Sequence, residues 1–188
     1  MQIKQILPAE LAEADRFQIS ILQPNRRRVR NFSYIKRQYK KHPSLFIACY
    51  NSSIVGIVFG FVKRDKVLLG ELAVKKELRG KGIGLKLVQC LAKEAKELGK
   101  KEICLGAQPD AEKFYLKAGF KPVLFAQIKH SKVPKGYLHK GFEIEKETNY
   151  KDAKRLYIHV RKYDAKLKQK AKKAFNAYDV IYLFVKKL

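Results

Sequence analysis

No stretch of this 188-residue chain is apolar for long enough to cross a membrane as a helix. The longest apolar runs, residues 45–50 and 54–62, fall far short of the ~20 residues a spanning helix needs. Its first residues, Met1-Gln2-Ile3-Lys4-Gln5, show no apolar core or cleavage site of a secretion signal. Cysteine is scarce and unpaired: Cys49, Cys90 and Cys104 are isolated, with no Cys-x-x-Cys. They read as reduced thiols at small apolar positions, which implies a cytoplasmic protein. His42, His130, His139 and His159 lack metal-ligand spacing, so no metal is expected. No internal repeat or low-complexity linker interrupts the chain.

Acid is also in short supply. Lys plus Arg number 42 against 17 Asp plus Glu, a net charge of +25. The excess is spread, with 25 basic and 11 acidic residues in 1–128 and 17 and 6 in 129–188. A field of this sign draws nucleic acid, anionic surfaces and acidic proteins and disfavours polycationic substrates. It concerns partners rather than fold. Within residues 26–41 it is sharpest, with Arg26, Arg27, Arg28, Arg30, Lys36, Arg37, Lys40 and Lys41 and no acid.

What is present is a folded globule: 46% hydrophobic and 11% aromatic residues, enough for one good core. Residues 2–7 read as a first strand, and Pro8 opens a helix over residues 9–19 that Gln23-Pro24-Asn25 breaks. Phe32, Ile35 and Tyr39 recur at helical spacing until His42-Pro43 stops the second helix. Residues 45–50 and 54–62 form a hairpin through Asn51-Ser52-Ser53. After a turn at residues 63–66 comes a mostly buried strand, residues 67–74.

That strand leads to Arg79-Gly80-Lys81-Gly82-Ile83-Gly84, which opens a helix. Leu87, Val88, Leu91, Ala92, Ala95 and Leu98 line one face of it, and Gly99 ends it. A glycine-rich turn between strand and helix brings several N–H groups together at the positive end of the helix dipole, a cradle for phosphate. Spacing narrows the choice. A P-loop needs Lys then Ser or Thr after its last glycine, and Leu85 follows Gly84. A dinucleotide fingerprint needs Gly-x-Gly-x-x-Gly, which this run lacks.

The pattern Arg79-x-x-Gly82-x-Gly84 after an apolar strand resembles the coenzyme A pyrophosphate loop of the GNAT acetyltransferases. The likeness continues through a strand at residues 102–106 to Ala111, Phe114, Tyr115, Gly119 and Phe120, with Gln108 where that family usually has Asn. Two motifs at the right separation make the signal specific. It implies an α/β (α+β) GNAT fold, a mixed central sheet with antiparallel N-terminal strands and flanking helices. Residues 1–128 would be the core. Residues 129–188 would complete the sheet, with 155–160 as the missing strand, and add a basic helix capped by Asp164 and a final strand at 180–185.

The resemblance implies an acetyl-CoA-dependent N-acetyltransferase acting by direct transfer to an amine. Backbone groups of Leu72, Ala73 and Val74 would hold the pantetheine arm and the thioester carbonyl. The amides of Arg79, Gly80, Lys81, Gly82, Ile83 and Gly84 would hold the diphosphate, and Gln108 would take the Asn position. Tyr115 would protonate the leaving thiolate, since its phenol is a donor at neutral pH. Glu71, the one carboxylate in residues 67–74, is the candidate base: an acid in so apolar a strand suggests a raised pKa and a cleft-facing side chain. The rival expectation is a basic GNAT-like module for RNA, the ribosome or an acidic protein, engaged through residues 26–41. A monomer or a homodimer paired through the last strand fits either.

Overall fold

A computed structural model of the chain describes residues 1–22, 31–133 and 141–188. These fall into two compact units, one of residues 1–104 with 187–188 and one of residues 105–186.

In the first unit β1 (Gln2–Gln5), β2 (Phe46–Asn51), β3 (Ser53–Lys63) and β4 (Lys66–Val74) lie side by side, each antiparallel to the next. Both connections in the β2–β3–β4 meander are tight, with Ser52 at φ 66° and Arg64 at φ 57°, the positive values short hairpin turns require. The start of β5 (Glu102–Gly106) runs parallel to β4, which makes the sheet mixed. The chain's last residues return to it: the Leu188 N–H donates to the Lys101 carbonyl at 3.1 Å and Lys187 Nζ to Glu102 Oε2 at 2.7 Å.

Pro8 opens a 3-10 turn, Pro8–Glu10, and the α-helix α1 (Leu11–Leu22) follows it. Helix α2 spans Phe32–Lys41. Its cap is Asn31, whose Oδ1 accepts the Tyr34 N–H at 2.8 Å. Ile35 and Tyr39 are buried while Lys36, Arg37, Lys40 and Lys41 are exposed, the amphipathic face expected of this segment. Arg26, Arg27, Arg28, Arg30 and the break at Gln23-Pro24-Asn25 lie outside the described residues. Edge-on contacts from Tyr34 to Phe61 and from Tyr39 to Phe46 seat α2 on one sheet face. On the other face, α3 (Ile83–Glu97) buries Ile83, Leu87, Val88, Leu91 and Ala95.

The second unit holds α4 (Glu112–Lys117), β6 (Lys121–Lys129), β7 (Ile144–Tyr150), β8 (Ala153–Ile158), α5 (Leu167–Phe175) and β9 (Asp179–Lys187, up to Lys186 in this unit). Strand β6 is central: β8 pairs antiparallel with one edge, β9 with the other, and β7 lies outside β8. Here the sequence reading is corrected. Residues 155–160 are not alone in extending the sheet beside β6, because β9 does so along seven residue pairs. Strand β9, expected as an exposed terminal strand, pairs along one edge with β6 and buries Tyr182 and Phe184 completely. Phe142, just before β7, packs its ring against Phe175 at 5.1 Å.

Candidate active site

Strand β4 carries the first group of candidate residues. Its register on β3 slips by one residue, from Gly60 opposite Leu69 to Phe59 opposite Glu71, so Gly70 is an extra residue, a β-bulge. Gly70 has no alternative here, because a Cβ would stand 1.9 Å from the Phe61 ring. Parallel pairing with β5 covers only residues 66–68 of β4, and the strand from Leu69 onward runs outside that ladder. Leu72, Ala73 and Val74 therefore stay paired with β3 along one edge while the parallel ladder with β5 does not reach them on the other.

Side chains alternate along this segment. Glu71 sits opposite Phe59, whose ring meets Phe46 at 5.0 Å, and Phe46 in turn meets Tyr39 of α2. Glu71 thus faces the side of the sheet covered by the first two helices, with 9% of its surface exposed. Val74 sits opposite Gly56, a position whose Cβ direction points at Ile83 and Leu87 of α3. Glu71 and Val74 thus look to opposite faces.

Beyond Val74 the chain makes a 3-10 turn at Lys76–Leu78 and then the glycine loop. Gly80 and Gly82 both adopt φ 80°, and neither would have a heavy atom within 4 Å of a Cβ. The backbone conformation demands glycine, and open space lies in front of it. The first helical hydrogen bond of α3 runs from the Lys86 N–H to the Gly82 carbonyl at 3.0 Å. The amides of Ile83, Gly84 and Leu85 accordingly have no intrahelical acceptor, and Gly82 supplies no side-chain cap. Arg79 and Lys81 are exposed beside the loop, and Arg79 Nε donates to the Val74 carbonyl at 3.3 Å. An uncapped helix start with converging amides and flanking cations suits an anion.

In the second unit, Gln108 is exposed, and its carbonyl accepts the Ala111 N–H in the turn before α4. Tyr115 is 7% exposed, its ring among Phe114, Phe120 and Phe184 at 5.1–5.8 Å. One turn earlier stands a residue that sequence reasoning passed over. Glu112 is 2% exposed and accepts from Tyr163 Oη at 2.6 Å and from Lys168 Nζ at 2.7 Å. The bond to Glu112, reinforced by burial, pushes the Tyr163 phenol up to about 12. Helix α4 has six residues, too few to be stable alone, and this buried pair anchors its first turn. No local pattern announces Glu112, since its partners lie 51 and 56 residues away.

Among the described residues no group of three or more His, Cys, Asp or Glu is placed to hold a metal ion. None of their helices is long and apolar enough to cross a membrane.

With this geometry in place, comparison with known proteins is direct. The acetyltransferase (GNAT) domain family matches residues 19–134, more than half of the chain. This chain belongs to the GNAT acetyltransferases. Its fold is similar to a GNAT-family acetyltransferase from Staphylococcus aureus, with TM-score 0.56 and 21% identity over 86% of this chain and 99% of that one. Naa50 of Arabidopsis thaliana, solved with the bisubstrate analogue CoA-Ac-MVNAL, is similar with TM-score 0.56 and 19% identity over 85% and 97%. A GNAT acetyltransferase from Brucella melitensis, solved with acetyl-CoA, has TM-score 0.51 and 18% identity over 64% and 82%. Comparison with curated proteins finds no match.

Proposed function

We propose that the chain transfers an acetyl group from acetyl-CoA directly to an amine acceptor. The observation that carries this reading is the start of α3: two glycines at φ 80° with open space before them, and helix amides without a cap. A diphosphate fits that arrangement. In the proposal it lies on the amides of residues 79–84, with Arg79 and Lys81 adding charge. The backbone of Leu72, Ala73 and Val74, beyond the end of the β5 ladder, takes the pantetheine arm and the thioester carbonyl, and Gln108 stands in for the family's Asn. Donors fixed toward a developing oxyanion contribute on the order of 3 kcal/mol.

The reaction forms one C–N bond and breaks one C–S bond. Glu71 takes the proton released by the amine, directly or through water, and Tyr115 gives a proton to the departing thiolate. Burial of Glu71 in an apolar strand and the family position of Tyr115 support these roles. A reducing, cytoplasmic setting matches the free thiols of Cys49, Cys90 and Cys104. The second reading, a basic module for RNA or the ribosome, rests on net charge and on the basic run of residues 26–41, and the loop's shape favours the enzyme.

Thermal unfolding tests the proposal. Saturating acetyl-CoA adds about 2.7 kcal/mol at a hundredfold excess over its Kd, a rise of roughly 5–10 °C for a chain of this size. Gly82→Glu abolishes the rise. Absence of coenzyme A or acetyl-CoA binding at sub-millimolar concentration overturns the enzyme reading.

A further inference from the structure

The second unit contains a concavity that acetyl transfer does not use. A cavity of about 740 Å³ opens between the end of β8 and α5. Its lining includes Leu124 and Ile158, buried beneath it, and the half-buried Leu167 and Ala174 of α5, which form its apolar wall. Four cations line it from two directions, Arg161 and Lys162 after β8 and Lys170 and Lys173 on α5. Glu143 is the one carboxylate in the described lining.

Two features mark this as more than a solvated basic face. First, the lysines of α5 are sorted by direction. Lys168 reaches Glu112 at 2.7 Å, while Lys170 and Lys173, one turn apart, both face the cavity. Like charges at that spacing repel, and a bound anion relieves the repulsion. Second, the cations border the apolar wall of Leu167 and Ala174 in a hollow of the size that takes small organic ligands. Nucleic acid is favoured by extended basic tracks, whereas an open hollow with an apolar wall suits an amphiphile.

We propose that this cavity binds a small organic anion, a phosphate or carboxylate carried on an apolar body. The head group is held by Arg161, Lys162, Lys170 and Lys173, and the body lies against Leu167 and Ala174. All these residues belong to the 105–186 unit, so the proposal stands whether or not the chain transfers acetyl groups.

Titration calorimetry on the full chain, with octyl phosphate, octanoate and inorganic phosphate as probes, tests it. One site is expected to bind an octyl compound at least about tenfold more tightly than inorganic phosphate, a margin that burial of a few methylenes supplies. The tighter of octyl phosphate and octanoate identifies the head group. Gly82→Glu keeps this binding, which separates the cavity from the glycine loop. Lys170→Glu/Lys173→Glu weakens it at least tenfold, and Ala174→Phe, which fills the hollow without changing charge, weakens it too. The proposal is overturned by octyl compounds binding no better than phosphate, by indifference to the double substitution, or by loss in Gly82→Glu. An RNA oligomer that needs the same lysines while octyl compounds do not bind would overturn it equally.

Discussion

Two helices begin beside the residues assigned to acetyl transfer, and they begin in opposite ways. Helix α3 starts open: Gly82 at φ 80° offers no side-chain cap, and no heavy atom lies within 4 Å of where its Cβ would be. Helix α4 starts closed, with Glu112 at 2% exposure holding a phenol and an ammonium. At the open start the helix amides are left to be satisfied by a ligand; α4 has no side-chain cap either, but its buried Glu112 carboxylate is satisfied within the fold. Function is therefore concentrated in the first and stability in the second. Substitutions at the two places should separate accordingly.

The largest effect belongs to the open start. Gly82→Glu is expected to weaken acetyl-CoA more than about a hundredfold, since it sets a carboxylate where a diphosphate would lie; each tenfold is 1.4 kcal/mol. Its cost to the ligand-free protein is only the positive φ, roughly 1–2 kcal/mol, which no steric clash enlarges. Calorimetric binding paired with a ligand-free melting curve checks both halves. A ligand-free protein that fails to fold would erase the contrast between the two starts.

Tyr115→Phe comes next and asks whether α4 also serves chemistry. The ring sits among Phe114, Phe120 and Phe184, and phenylalanine keeps that packing. If the hydroxyl protonates the leaving thiolate, kcat falls about 10²–10⁴-fold with KM for acetyl-CoA and the melting temperature little changed. An unchanged kcat would reduce Tyr115 to a packing residue.

The closed start should answer in stability. Lys168→Met leaves the Glu112 carboxylate buried with Tyr163 as its remaining described partner, and is expected to cost about 3 kcal/mol. Glu112→Gln leaves an ammonium whose side chain is 22% exposed and can turn to water, so roughly 1–2 kcal/mol is expected. Urea unfolding of both, with the double substitution to close the cycle, measures the coupling. Equal costs for the two single changes would show that burial does not set the asymmetry.

These two starts also differ in how far the amino-acid order disclosed them. The glycine loop was readable because its requirements are local: positive φ, a preceding apolar strand and a following helical stripe all fall within residues 67–98. The meander of β2, β3 and β4 and the capped, basic α2 were readable for the same reason. Glu112 sits in the polar run Pro109-Asp110-Ala111-Glu112-Lys113, which looks like solvated surface. Only the return of Tyr163 and Lys168 to α4 buries it. The bulge at Gly70 was hidden as well, because one glycine in an apolar strand does not say which partner residue it will slip past. The same long-range pairing placed β9 beside β6, where the apolar patterns of residues 155–160 and 180–185 look alike.

The smallest expected effect reads the closed start through pH. Tyr163 donates to the Glu112 carboxylate, a bond only the neutral phenol makes, and this holds its folded-state pKa up at about 12. An unfolded tyrosine titrates near ~10. Because the folded value is the higher one, the stabilisation is fully present below about pH 10 and is lost as pH rises toward 12. The chain has 10 tyrosines, so the informative quantity is the difference between the native protein and Tyr163→Phe. That difference is expected to be constant from pH 8 to 9.5 and to shrink steadily above pH 10, as urea midpoints will register. A gap that persists undiminished to pH 12 would mean that the phenol supports α4 by packing, with Tyr182 at 5.1 Å, and not through its proton.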